Sequence, residues 1–379
     1  MIITKKACIT TSFYCAYLTF IVFSMFGHIP TIGGYLKTLT NFGLLAFALI
    51  ICLRLKDYSI QEAIIFAIYL LFSLLSALNT GDYGFFKLGI MIFASKGLDF
   101  KSIIRKDLYT RIVLVIIMFF LWLKGIAPDI TSYYNGSIRH SMGFQNPNHV
   151  GIMSFVIIME ILYLSRMRLT ILKYITIFII IFIEDYFAGS RTAELITLIS
   201  VGLATIYSFW PKFFEKQMVK SILSGGAAIC SILTAISFFM LKSGYSLAIA
   251  LDKVLSYRIT NIVFYYNAMG ISLLGKNPIS LNRTIDSIYG FTFIVLGLFA
   301  FAFIIIMYRK LEHQLIQTDM QLAIIMFCFF VYGLSERLWM YVDYNIFMLA
   351  FACLIYPSFT TTDNRNSLSV IRFKPNKYR

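Results

Sequence analysis

The stretch Ile60-Gln-Glu-Ala-Ile-Ile-Phe-Ala-Ile-Tyr-Leu-Leu-Phe-Ser-Leu-Leu-Ser-Ala-Leu78 decides the class of this chain. After Glu62 it runs to Leu78 without a charged residue. An apolar run of about 20 residues, wound into an α-helix, matches the hydrocarbon thickness of a bilayer. It does not alternate apolar and polar residues as a barrel strand does. Lipid offers the backbone no hydrogen-bond partner, so a continuous run of this kind reads as a membrane-spanning helix.

Segments of the same character recur outward from it, at about 7–27, 36–53, 84–97, 109–127, 148–165, 170–187, 193–210, 221–241, 289–308, 320–335 and 340–357. The shortest, 84–97, carries Lys87. Composition agrees with a lipid environment: 59% of the 379 residues are hydrophobic and 13% charged, with 37 Phe and 24 Tyr. A soluble domain carries about 25% charged residues. The first run follows Lys5 and Lys6. It is longer than the core of a signal peptide and has no small-residue cleavage site after it, so it is read as the first span.

The net charge of +15 would suggest nucleic acid in a soluble chain. Here Lys and Arg sit in short loops between spans, and the positive-inside rule accounts for them. Alternating sides from a cytoplasmic N-terminus puts about two thirds of the 33 Lys and Arg on the inner side. Among them are Arg54, Lys96, Lys101, Arg105, Lys106, Arg166 and Arg168, with Arg372, Lys374, Lys377 and Arg379 in the tail. The expectation is an all-α polytopic integral membrane protein of about twelve transmembrane helices, with both termini cytoplasmic. Residues 1–357 form one domain and 358–379 a basic cytoplasmic tail. The long outer-side loops are about 125–148 and 242–288. In the second, Leu247, Leu251, Val254, Leu255, Ile259, Ile262 and Tyr266 recur at helical spacing, which predicts an amphipathic helix. Arg258 lies on or beside that stripe, either snorkelling or reaching into a polar cavity. Asp252 and Lys253 lie off it. The runs do not read as two similar halves, which weighs against a transporter built from repeats.

Several features invite chemistry and are better explained without it. Gly270-Ile-Ser-Leu-Leu-Gly275-Lys276-Asn277 resembles a phosphate loop, but Asn277 stands where the metal-binding Ser or Thr belongs. The six cysteines form no Cys-x-x-Cys pair and read as small apolar residues. No His/Glu pair has metal-ligand spacing, so neither metal nor cofactor is expected. Asn135-Gly-Ser and Asn282-Arg-Thr are glycosylation sequons, meaningful only in a glycosylating secretory pathway.

The informative residues gather on the outer side. Arg139-His140-Ser-Met-Gly143-Phe144-Gln-Asn146-Pro147-Asn148-His149-Val-Gly151 contains a turn and helix start, which a plain cap would explain. Its density of Arg, His and Asn argues for more. In Gly189-Ser190-Arg191-Thr192-Ala193-Glu194, Ser190 or Thr192 can cap the next helix and Glu194 suits its first turn. Arg191 is a cation at a helix N-terminus, which the helix dipole disfavours unless an anion binds there. Arg258 and Arg283 add positive charge; Asp286, Glu336 and Asp343 supply carboxylates. Glu336 beside Arg337 reads equally well as a structural pair. Several arginines with few carboxylates suit a diphosphate, and a carboxylate or histidine beside them can act as a general base.

These motifs, in this order, resemble the Wzy-type bacterial polysaccharide polymerases, relatives of the O-antigen ligases. The resemblance covers 139–345: Arg139 through Asn146-Pro147-Asn148-His149-x-Gly151; Gly189-Ser190-Arg191-Thr192; Arg258; Gly275-Lys276; Asp286-x-x-Tyr289 leading to Gly297; and Glu336 followed by Asn345. Ser287 departs from it, since many relatives have Asn there. The resemblance implies a multi-pass glycosyltransferase of the bacterial plasma (inner) membrane. It would polymerise undecaprenyl-diphosphate-linked oligosaccharides on the outer face, without metal or nucleotide sugar. Arg191, Arg258, Glu336 and His149 are the expected catalytic residues. Arg139, His140, Asn146, Asn148, Arg283, Asp286 and Tyr289 are the expected substrate-binding residues. A chain-length regulator and a flippase of the same pathway are further candidate partners; nucleic acid is not expected. An O-antigen ligase shares scaffold and chemistry, and a lipid-glycan flippase is the rival from another class.

Overall fold

The computed structural model describes residues 5–27, 29, 32–134, 137–278 and 283–356. The basic tail 358–379 and the sequon asparagines Asn135 and Asn282 lie outside these residues. The first five helices are α1 (Lys5–Phe26), α2 (Gly33–Leu53), α3 (Ile60–Thr80), α4 (Gly84–Ala94) and α5 (Phe100–Leu123). A hairpin follows, of β1 (Ser132–Tyr134) and β2 (Ser137–Arg139), with Ser132 opposite Arg139. Then come α6 (Pro147–Leu164), α7 (Ile171–Phe187), α8 (Arg191–Phe209), α9 (Pro211–Phe214), α10 (Gln217–Ser224), α11 (Gly226–Lys242), α12 (Ser246–Val254) and α13 (Arg258–Met269). The last are α14 (Ile288–Phe291), α15 (Leu298–Thr318), α16 (Met320–Tyr332) and α17 (Ala352–Ile355), the last preceded by a 3₁₀ turn over Ile346–Phe351. The fold is thus helical, with one small hairpin that hydropathy did not anticipate.

Helix starts follow local chemistry. Ser59 and Glu62 form a reciprocal capping box at α3, and Gly81 closes that helix with φ of 77°. Asn146 accepts from the His149 N–H at 3.1 Å, and Pro147 takes the first turn of α6. Each apolar run expected to span contains helix, but the runs differ in kind. Among the described residues, five helices are long and apolar enough to cross a membrane (α1 from Cys8, α2, α3, α6 and α8), or six if α10 and α11 count as one span bent by 63°. Helix α4 has 11 residues, about half the length a span needs. Run 289–308 is broken at Gly297, whose φ of 91° ends a π-helical turn. Residues 340–345 are irregular, and helix begins only at Ile346.

The long helices bury one side and leave apolar side chains on the other. In α7 only Ile177, Ile181 and Glu184 are buried, while Ile171, Phe182 and Tyr186 are more than two thirds exposed. Apolar surface on this scale fits lipid, not water, as its solvent. The loops tie the bundle at two ends. At one, Arg54 donates to the Lys96 carbonyl (2.8 Å), Lys96 pairs with Glu62 (2.6 Å), and Gln321 donates to the Arg166 carbonyl (3.2 Å). At the other, the described parts of the 125–146, 188–190, 243–287 and 333–345 connections meet, and the candidate site lies there.

Candidate functional site

Arg139, the last residue of β2, lies against the C-terminal end of α7. Its Nε donates to the Ala188 carbonyl at 2.6 Å, a favourable place for a cation at a helix end. Its Nη2 donates to Asn148 Oδ1 at 2.8 Å, and Asn148 Nδ2 reaches Glu336 Oε1 at 3.3 Å. From the other side Arg258, the first residue of α13, pairs with the same Glu336 oxygen at 2.8 Å and donates to the Ser335 carbonyl. Arg139, Asn148, Glu336 and Arg258 are therefore one hydrogen-bonded chain assembled from four parts of the sequence. The Arg258 and Glu336 side chains are 11% and 12% exposed.

Arg191 opens α8 beside this network. Gly151 makes the approach possible: a Cβ there would sit 2.7 Å from both Ser190 and Ala193. The three guanidiniums share one field. Burial, together with Arg191 and Arg258, lowers the Arg139 pKa against the opposing pull of Glu184 and Glu336. Burial raises the Glu336 carboxyl to about 7; Arg258 opposes the rise and Asp286 adds to it. A carboxyl poised near neutrality inside a positive pocket can exchange a proton with a substrate hydroxyl.

Other expected residues are placed differently. Tyr289 does not face the site: it is 1% exposed, donates to the Phe330 carbonyl at 2.9 Å and meets Trp339 edge-on. It belongs to the core because α14, tied by the Ile288 N–H to the Gly333 carbonyl at 3.0 Å, lays it against α16. Asn146 is a helix cap. His149 follows it on α6, with its ring 5.3 Å from that of Tyr344. His140 turns to Asp129, its Nδ1 2.6 Å from the carboxylate, which also accepts from the Ser141 N–H. Burial would raise the Asp129 pKa, but these hydrogen bonds outweigh it and lower it. Arg283 stacks on Phe264 and lines a separate cavity of about 210 Å³ with Tyr265 and Arg337. Asp286 acts electrostatically on both Tyr265 of that cavity and Glu336. Ser190 makes no side-chain cap at α8; its N–H donates to Glu184 instead.

The expected amphipathic helix is two helices. Ser256 and Tyr257 have positive φ, and Asp252, off the stripe but 2% exposed, accepts from the Ile259 and Thr260 N–H groups. This cap turns the chain so that Arg258 points to Glu336. The phosphate-loop lookalike is an extended strap packed on the Gly297 break, with Lys276 N–H bonded to the Val295 carbonyl (2.9 Å) and Leu298 N–H to that of Ser272 (3.0 Å).

An apolar cleft of about 650 Å³ runs between α3, α4 and α15. Leu273 and Leu274 border it at the site end, Leu354 and Ile355 at the other. Trp339 and Met340, just after Glu336, form part of its wall.

A polar cluster that sequence reading missed lies deeper in the bundle. Arg111, Asp107 and Glu160 are each 0% exposed, with Arg111 Nε 2.9 Å from Asp107 and 3.5 Å from Glu160. The signal was present, since Glu160 interrupts an apolar run and Asp107 and Arg111 share an i, i+4 face.

Comparison of the chain with models of known families, with curated proteins and with solved structures returns no match.

Proposed function

We propose that this chain is a glycosyltransferase that polymerises lipid-linked oligosaccharide repeat units at the outer face of a bacterial plasma membrane. The twelve-run topology, with cytoplasmic termini and the Glu336 end facing outward, belongs to this reading. So do an undecaprenyl-diphosphate-linked donor and a flippase and chain-length regulator as neighbours in the pathway. The observation that carries it is the convergence of Arg258 and, through Asn148, Arg139 on one largely buried carboxyl, Glu336, with Arg191 in the electrostatic field of Arg139.

In this mechanism the arginines take the donor diphosphate, with planar forks that match its oxygens. The acceptor hydroxyl attacks the anomeric carbon. The carbon–oxygen bond to the diphosphate breaks, the new glycosidic bond forms, and Glu336 takes the hydroxyl proton. The arginines hold the negative charge on the departing diphosphate, the kind of electrostatic stabilisation that contributes most to many enzymatic rates. The neighbouring apolar cleft suits the hydrocarbon part of such a donor, since it begins beside the segment that carries Glu336.

The test is the purified protein in liposomes with its lipid-linked repeat unit. Growth of a ladder of polymer on the lipid carrier, with release of lipid diphosphate, is the expected result. Transfer to a different acceptor without chain growth would make it a ligase. Movement of the lipid across the bilayer without any new glycosidic bond would overturn the reading.

A further inference from the structure

The interior cluster reaches the site through the backbone. Arg111 Nη2 donates to the Asp343 carbonyl at 2.8 Å and to Tyr17 Oη at 3.0 Å. Tyr17 Oη lies 3.1 Å from the Val342 carbonyl and 3.3 Å from Asp107 Oδ2. Two successive carbonyls of the irregular 333–345 segment are therefore held by side chains of α1 and α5, both remote from them in sequence. The same segment holds Glu336 at one end and a turn at the other, where the Tyr344 and Asn345 N–H groups bond the Tyr341 carbonyl (3.1 and 3.0 Å). Irregular backbone at membrane depth needs such partners, because lipid supplies none.

We propose that Arg111 is a positioning residue: through the Asp343 carbonyl directly, and the Val342 carbonyl by way of Tyr17, it fixes the segment that sets Glu336 against Arg258 and Asn148. A buried ion cluster is an expensive tie, and well-packed apolar residues would often hold the helices as well. What apolar residues cannot do is bond two carbonyls in a set geometry. Glu160 pairs with Arg111 but makes no hydrogen bond to the segment, so the inference separates the members of the cluster. Arg111 and Tyr17 act on the site; Glu160 does not. As a statement about Glu336 chemistry this rests on the proposed glycosyl transfer, whereas as a statement about the segment it stands alone.

The experiment measures amide hydrogen exchange of residues 338–345 and polymerisation kinetics on the full-length protein in nanodiscs. Arg111→Met is expected to raise exchange at Tyr344 and Asn345 at least tenfold while α6 and α16 stay protected. It should lower kcat about tenfold or more with KM changed less than about threefold, the pattern of lost transition-state geometry. Tyr17→Phe should do the same more weakly, and Glu160→Gln should leave exchange and kcat at wild-type values. If Arg111→Met does not reach the membrane, the triple change Arg111→Met, Asp107→Leu, Glu160→Leu removes the stranded charges and still deletes the carbonyl contacts; it should show the same opening. Unchanged exchange in Arg111→Met or the triple variant overturns the inference, as does equal opening in Glu160→Gln. Raised exchange with unaltered kcat overturns the positioning role. If the wild type makes no polymer, the proposed function fails, and exchange alone decides whether Arg111 holds the segment.

Discussion

Two clusters in this molecule use the same groups in opposite settings. Arg258 and Glu336 meet at the end of the bundle, 11% and 12% exposed, with Arg139 and Arg191 near them and an apolar cleft alongside. Arg111, Asp107 and Glu160 meet inside it, with no exposure. The first has a surplus of arginines and an opening; the second has two carboxylates for one guanidinium and no opening. A charge that keeps a path to solvent can exchange its partner for a ligand. A sealed one can act only on the backbone it holds. Position in the bundle, more than residue type, separates the proposed chemistry from its scaffold.

The strongest way to break that comparison is at Arg258. Arg258→Ala should lower polymerisation by about 10²–10³, the usual cost of removing a donor aimed at developing charge. The protein should stay in the membrane, because the guanidinium borders the opening. Wild-type chain lengths on a gel of surface polysaccharide would remove Arg258 from the site. Next is pH. In the proposed mechanism Glu336 must be ionised to accept a proton, and burial raises its pKa to about 7. The rate should therefore rise with pH and be half-maximal near pH 7. Arg258→Met, measured on its residual activity, should move that limb to higher pH, because the guanidinium favours the ionised form. A flat profile from pH 5 to 9 would exclude Glu336 as the base.

A smaller effect tests the packing that holds the open cluster together. Gly151→Val would place carbon within 2.7 Å of Ser190 and Ala193, pushing α8 and Arg191 away from α6. The expected cost is about 1–3 kcal/mol by thermal unfolding, with a loss of activity. An unchanged unfolding temperature would mean that α6 and α8 need not touch. The smallest is His140→Ala. Its contact with Asp129 is partly exposed, so stability should fall by less than about 1 kcal/mol and activity by less than threefold. A large loss of activity would move His140 into the site.

Much of the frame was legible because membrane helices announce themselves in one dimension. The apolar runs each contain helix, and caps such as Ser59 with Glu62 and Asn146 with Pro147 lie where their residue types predict. The breaks were not legible. Gly297 interrupts an apolar run with no change in hydropathy, and Asp252 ends a periodic stripe by bonding backbone seven residues on. Periodicity sees neither. Tyr289 read as a site residue because of its neighbours in sequence, and packing against Phe330 and Trp339 buries it. Asp129, paired to His140, and Arg111, paired across three helices, could not be ranked without knowing what faces them.

By itself the sequence determined that lipid suits this chain as its solvent, where most of its helical runs lie, and which arginines stand outside the short basic loops. These follow from local hydropathy, cap chemistry and the charge of short loops. The tertiary structure alone decided that Arg139, Asn148, Glu336 and Arg258 form one network and that Arg111 reaches the segment carrying Glu336. Those contacts join residues up to 232 positions apart. Their energies depend on burial and angle, which no local pattern encodes.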